Sequence, residues 1–307
     1  MISNPLKKVN ILEKNISSVE KSITDLGNGK AFALHNILQL DGRVSAYPKS
    51  TRGFSSMNCY LLCENNAAIL LDTGFNGQLD LLSKQISSVI TQDTPLSIYP
   101  LRQNEFMSVG NIVALANRFN VVEAFSNRPN IDFWFDFELE DFIPKEEKDK
   151  KFTTSKLGTE LKINIGGNPD RLIHGIFAPI RLITTMWIFD QATKTLFSSD
   201  MFSHISKSNP DGPWISDKDE LSTTSFVRSF LLNTRYWWLE GVDTGPLREG
   251  ISEVFNKFDI HSIAPGYGTI LTGKEQVEKQ FKILDEVLRE LDSSVVKASY
   301  VPRNLER

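Results

Sequence analysis

Apolar residues recur along this chain in two rhythms. Short apolar runs closed by polar turns predict strands, and longer segments with apolar residues three and four apart predict helices. Strand patterns fall at residues 31–38, 42–47, 53–63 and 67–74, and the turn Glu64, Asn65, Asn66 joins the last two into a hairpin. Residues 78–89 follow with Leu79, Leu82, Ile86 and Val89 on one helical face. An apolar run at 96–100 reads as a buried strand, the polar turn 101–112 comes next, and residues 112–119 return to helical spacing before a short strand at 120–125. Residues 130–160 are aromatic and acidic, most densely at 133–137, and predict a hairpin or loop over one end of a sheet. Further strands are expected at 161–165, 171–177, 182–189 and 195–199, the last two joined by a turn at 191–194. A loop opens at Asp200, helices span about 221–241 and 247–258, and a strand at 260–264 leads through the turn 265–268 into a closing helix at 273–294.

Upstream of all this, residues 1–30 are polar and weakly patterned, with an amphipathic helix predicted at 17–26. There is no internal repeat and no linker. The chain therefore divides into an N-terminal extension, 1–30, one domain, 31–295, and a tail, 296–307. Two strand-rich halves with intervening helices predict two sheets with helices outside, an α+β architecture.

Composition narrows the function classes. The 307 residues are 40% hydrophobic and carry a net charge of −4, enough apolar side chain for a sizeable core. No segment concentrates Lys and Arg into a phosphate-tracking face, so nucleic acid is not an expected partner. The run 145–151 mixes both signs and reads as a solvated surface. Cys59 and Cys63 stand four apart in a strand pattern. That places them on one face roughly 13 Å apart, too far for a disulfide. Two buried thiols, no signal-peptide order at the start and no apolar run of membrane-spanning length make a cytoplasmic protein the expectation, with no membrane partner.

Several islands, in order along the chain, resemble one family. The hairpin at 58–62 and 69–74, ending in Asp72, Thr73, Gly74, resembles the opening of metallo-β-lactamase folds. The paired strands 185–190 and 195–204, with Asp200 at the end of the second, look like the flavodiiron branch of that superfamily, in which a strand ends in an aspartate bridging two irons. Residues 264–268, Ala-Pro-Gly-Tyr-Gly, resemble the last family turn, usually Pro-x-His-Gly. The resemblance covers roughly residues 31–290 and implies a four-layer αββα sandwich, metallo-β-lactamase-like.

The family's metal motif, His-x-Glu-x-Asp-His before a Gly and a helix, falls on the turn 101–112. With Gly110 laid on that Gly, Gln103 and Glu105 take the first two ligand positions and Met107 and Ser108 the last two. The next histidine position falls on Arg181, the bridging aspartate on Asp200 and the final histidine on Tyr267. The protein's own histidines, His35, His174, His204 and His261, match none of the ligand positions; His204 matches a family histidine that is not itself a ligand.

Imidazole is what holds iron or zinc tightly in such sites. Gln103 offers a weak neutral oxygen, Ser108 a poor ligand, Met107 a soft thioether, and Arg181 a permanent cation with no lone pair. These substitutions make Arg181 the expected replacement for the metal, forking onto Glu105 or Asp200. Taken without the resemblance, Glu105 is an acid at a helix N-terminus and Asp200 a loop cap.

Three functions follow as expectations. One is a degenerate relative of flavodiiron proteins without a normal diiron site: a pseudoenzyme acting as a binding, sensing or partner subunit, with no cofactor. No flavin phosphate loop follows residue 290, which argues against self-contained oxygen or nitric oxide reduction. The second is a re-purposed oxidoreductase or hydrolase. It would use iron (or zinc) on Glu105, Asp200 and Tyr267, or work without metal, with Glu105 or Asp200 as base and Arg181 binding an anionic small molecule. The third is a structural subunit that dimerises through the helices at 219–258.

Overall fold

Strands form where the two-residue alternation places apolar side chains on a sheet face, and here they assemble into two mixed seven-stranded sheets. The computed structural model describes residues 19–126, 152–156 and 161–292. The chain divides into two compact units, the first comprising residues 1–36, 58–159 and 164–171, the second 37–57, 160–163 and 172–307.

The first sheet runs in sequence order: β1 (Ile23–Asp25), β2 (Ala31–Leu40), β3 (Gly53–Glu64), β4 (Ala67–Leu71), β5 (Leu96–Tyr99), β6 (Val121–Ser126) and β7 (Thr153–Lys156). The hairpin β3–β4 is antiparallel with Leu62 opposite Ile69. From β4 onward the strands are parallel. Parallel neighbours require a crossover. Helix α1 (Leu79–Val89) supplies the one between β4 and β5, burying Leu82 and Ile86. Two short helices, α2 (Phe106–Val109) and α3 (Ile112–Ala116), supply the next. Leu34, Leu61, Leu70, Ile98 and Leu115 are fully buried in this unit. Each such side chain stabilises the fold by about 1.5–3 kcal/mol relative to exposure.

The second sheet has the order β12-β14-β13-β11-β10-β9-β8. Its strands are β8 (Leu161–Asn164), β9 (Leu172–Phe177), β10 (Met186–Asp190), β11 (Thr195–Ser199), β12 (Ile215–Ser216), β13 (Ser262–Pro265) and β14 (Ile270–Thr272). Here β11 and β13 are the central parallel pair, with Ser199 opposite Pro265. Helices α4 (Thr224–Leu232), α5 (Gly245–Lys257) and α6 (Lys274–Leu291) belong to this unit. The long α6 turns Val277, Leu284, Val287, Leu288 and Leu291 inward, the stripe expected of its three-and-four spacing.

Several local expectations are corrected. Residues 23–25 are a strand, not part of a helix, because they pair with β2 while Asp25 accepts the amides of Gly27 and Gly29 to close the turn. Residues 42–47 form turns instead of a strand: Gly42 is left-handed at φ 95° and the Tyr47 amide bonds back to Val44. The strand foreseen from 182 begins only at Met186. The helix foreseen over 221–241 stops at Asn233, whose side-chain amide bonds the Ser229 carbonyl while the Thr234 hydroxyl bonds that of Phe230. Side chains that take the last carbonyls in this way compete with helix continuation. The aromatic run Arg235 to Leu239 consequently lies on turns and a single 3₁₀ turn. Most of the aromatic, acidic stretch 130–160 lies outside the described residues, which include only β7 and its neighbour Phe152 at its end.

Candidate functional site

In open sheets with parallel strands, chemistry gathers beyond the carboxyl ends of the strands. Each unit has such an edge, and the ligand positions implied by the resemblance lie on both.

In the first unit, β4 and β5 are parallel with Leu71 opposite Tyr99, so Asp72 and Leu101 emerge side by side. Asp72 is buried and left-handed at φ 61°. Its Oδ1 accepts the Leu101 amide at 2.7 Å, which ties the two strand ends together. Asn111 clamps the next two residues: its amide nitrogen donates to the Thr73 hydroxyl at 3.2 Å, and its Nδ2 to the carbonyls of Thr73 and Gly74 at 2.8 and 3.0 Å. Gly110 fits because a Cβ there would lie 2.6 Å from the Phe106 carbonyl oxygen and 2.9 Å from Asn76 Oδ1.

Within this frame sits the turn read as the metal motif. Gln103 is fully buried, and its Oε1 accepts the Ser126 hydroxyl at 3.1 Å. Ser108, also fully buried, accepts the Arg102 amide at 3.3 Å. Met107 accepts the Thr73 amide through its carbonyl at 3.2 Å, and its sulfur accepts from Arg102 Nη2. Glu105 is half-buried, with Oε2 3.3 Å from Arg102 Nη1. Arg102 itself has a side chain with 0% exposure. A guanidinium thus meets the side chains at two of the four motif positions, Glu105 and Met107, while its own backbone amide is held by Ser108. The Cys59 thiol lies close enough to Asp72 and Arg102 to feel both charges, though burial is the main cause that pushes its pKa well up.

In the second unit, β11 and β13 deliver Asp200 and Tyr267 to a common edge. Asp200 pairs with Arg235, Oδ2 to Nη1 at 2.7 Å, with side-chain exposures of 10% and 18%. Arg235 also reaches the Ser45 hydroxyl at 3.4 Å. Tyr267 is buried, its ring edge-on to Tyr47 at 6.5 Å. Tyr47 donates to or accepts from Ser55 Oγ at 2.8 Å, and burial pushes its phenol pKa up. Gly268 turns the chain at φ 82°, where a Cβ would lie 2.5 Å from the Ile205 carbonyl oxygen. His204 is buried with Nε2 2.6 Å from the Ser222 hydroxyl, and desolvation lowers its pKa to about 4.

Arg181 departs from its expected role. The β9–β10 loop that carries it is at the same sheet edge, since β10 is antiparallel to β11. Yet its side chain is exposed, donating to the Ala178 carbonyl at 2.6 Å and lying over the Phe177 ring at 5.9 Å. The cations that meet the two surviving carboxylates are Arg102 and Arg235. A positive charge flanked by Leu101 and buried Gln103 directly after an apolar strand was the available signal for Arg102. For Arg235 only its place beside an aromatic run marked it. Asp72, recognised as part of a hairpin signature, and Asn111 are two further residues that shape the turn.

The other histidines hold the structure. His35 bonds Thr24 and Asn58, each at 2.9 Å, and burial lowers its pKa to about 4. His174 packs on Phe258, and half-exposed His261 meets Asp259. Both cysteines are free; Cys59 is buried but Cys63 is only partly so.

The fold so described is found in solved structures. A flavo di-iron protein mutant from Thermotoga maritima matches 87% of this chain at 18% identity and a TM-score of 0.60, with 62% of its own length covered. A fragment of a diflavin flavoprotein from Nostoc matches 88% of this chain at 10% identity and TM-score 0.62, with 97% of that fragment covered. A chemotaxis sensor solved as a peroxy diiron species matches 86% at 14% identity and TM-score 0.54, with 94% covered. The fold is therefore that of the metallo-β-lactamase-like domain of flavodiiron proteins. The chain spans about three fifths of the first flavodiiron structures it matches, 61% and 62%. No protein-family model and no curated protein matches the sequence.

The residues at the implied ligand positions do not fit a histidine-rich iron site. Among the described residues, no three His, Cys, Asp or Glu side chains group to hold a metal ion. Glu105 and Asp200 are each engaged by a guanidinium. Gln103, Met107 and Ser108 are weak or soft donors already committed to the turn. No helix among the described residues is long and apolar enough to cross a membrane.

Proposed function

We propose that this chain is a metallo-β-lactamase-like domain of the flavodiiron type that no longer builds a diiron centre and acts by binding, as a sensing or partner subunit. One observation carries this reading: the fully buried Arg102 guanidinium stands against Glu105 and Met107, where a metal would require lone pairs and tolerate no fixed cation. The likeness to a chemotaxis sensor supports a sensing role.

The test is metal content after expression with iron and zinc supplied. Far less than one metal per chain is expected, and about two irons or zincs per chain would overturn the proposal. A re-purposed site with one ferric ion on Glu105, Asp200 and Tyr267 requires both carboxylates to leave their arginines and a buried phenol to ionise. The protein is accordingly expected to be colourless, and a visible band lost in Tyr267→Phe would establish that alternative instead.

The partner we assign is a second copy of the chain. In the second unit Leu221, Phe226 and Trp237 are exposed, with Phe226 on α4 and the other two beside it in sequence. Light scattering is expected to give a dimer mass that Phe226→Asp converts to a monomer mass; a monomeric parent protein removes this assignment.

A further inference from the structure

A buried guanidinium is costly unless acceptors surround it, and it carries five N–H donors in a rigid plane. Arg102 is at 0% exposure, with a carboxylate oxygen of Glu105 3.3 Å from Nη1 and the thioether of Met107 on Nη2. Its backbone amide is held by the buried Ser108 hydroxyl. The strand end beside it carries a buried carboxylate, Asp72, which fixes the Leu101 amide. This setting puts a carboxylate on one terminal nitrogen of the guanidinium and a thioether on the other. It offers no imidazole, and its sulfur donor is mismatched to hard iron.

We propose that the Arg102 guanidinium is the resident cation of the turn, and that a chain lacking it has there a binding site for a free guanidinium-type cation, not for a metal ion. The backbone that carries these acceptors is held by bonds that do not use the Arg102 side chain. Thr73 holds Met107 through its carbonyl, and the Ser108 amide bonds the Glu105 carbonyl at 2.9 Å. Asp72 keeps its hold on Leu101 in the same way. A cation that binds only the folded turn stabilises it by mass action.

The inference depends on the function proposed above only in taking the turn to be metal-free. Iron in the parent protein counts against that function. Failure of rescue in a metal-free chain counts against this inference alone.

The experiment uses the full chain carrying Arg102→Ala and follows its thermal midpoint. About 10 mM guanidinium chloride, far below denaturing levels, is compared with equal NaCl and with Mn²⁺ or Zn²⁺. The expected result is a midpoint lowered by the substitution, raised by several degrees with guanidinium beyond the NaCl control, and no such rise in the parent chain. Guanidinium acting no better than NaCl, or a divalent metal rescuing in its place, would overturn the proposal. If Arg102→Ala does not fold, Arg102→Lys is compared with and without Glu105→Gln in urea. Loss of the Glu105 charge is expected to change the effect of Arg102→Lys, since the seat is built around the Arg102–Glu105 pair. Strict additivity of the two substitutions would sink the idea.

Discussion

Asp200 and Arg235 stand 35 positions apart and meet at 2.7 Å with both side chains largely buried. Removing one partner of such a pair leaves the other charge poorly solvated, so Asp200→Asn is expected to cost about 2 kcal/mol in urea unfolding. Arg181→Ala, by contrast, removes an exposed side chain and is expected to stay within about 0.5 kcal/mol of the parent. The opposite ranking would restore Arg181 to the site. At Asn111 the two side-chain hydrogen bonds to the carbonyls of Thr73 and Gly74 predict a loss of about 2 kcal/mol for Asn111→Ala, read as an earlier urea midpoint. The sequence reads Glu105 as an acid at a helix N-terminus and Asp200 as the opening of a loop, and the two stand at the N-cap of α2 and directly after β11. It gave the wrong cation because a guanidinium on a long stem finds its partner through the path of its loop, which local pattern does not encode.

At the scale of elements, most strands and helices were legible because each buries one face at a fixed period. The pairs β3–β4 and β10–β11 appear where alternation and turn residues put them. Helix α4 begins at an N-cap, Thr223, whose hydroxyl accepts the Phe226 amide at 3.2 Å, and Thr223→Ala is expected to cost about 1 kcal/mol in thermal or urea unfolding. Its end was misplaced because the Thr234 hydroxyl takes the Phe230 carbonyl that the next helical amide would need, a competition invisible to hydrophobic spacing. The strand β1 is three residues long and exists through its pairing with β2, so its own sequence carried no sufficient signal.

At the scale of the whole molecule, the acid response of stability follows from two buried histidines in different units. His35 and His204 each have a pKa lowered to about 4, chiefly by desolvation. A histidine depressed in the folded state is protonated more readily in the unfolded chain. Its contribution is therefore intact above about pH 6.5 and is lost as pH falls through that value toward 4, by up to about 3 kcal/mol for each residue. The urea midpoint is expected to drop between pH 7 and pH 5, and His204→Gln, which keeps a group able to bond Ser222, is expected to flatten that dependence. A midpoint unchanged across this range would contradict the burial assigned to both.

The sequence by itself determined the alternation of strands and helices, the hairpin that ends in Asp72, and the absence of histidine from the positions where the resemblance expects it. Those properties reside in local periodicity and residue identity. Only the tertiary structure decided that Arg102 and Arg235, not Arg181, meet the two carboxylates. Burial and ion pairing depend on which side chains converge when strands adjacent in a sheet, but distant in sequence, bring their ends together.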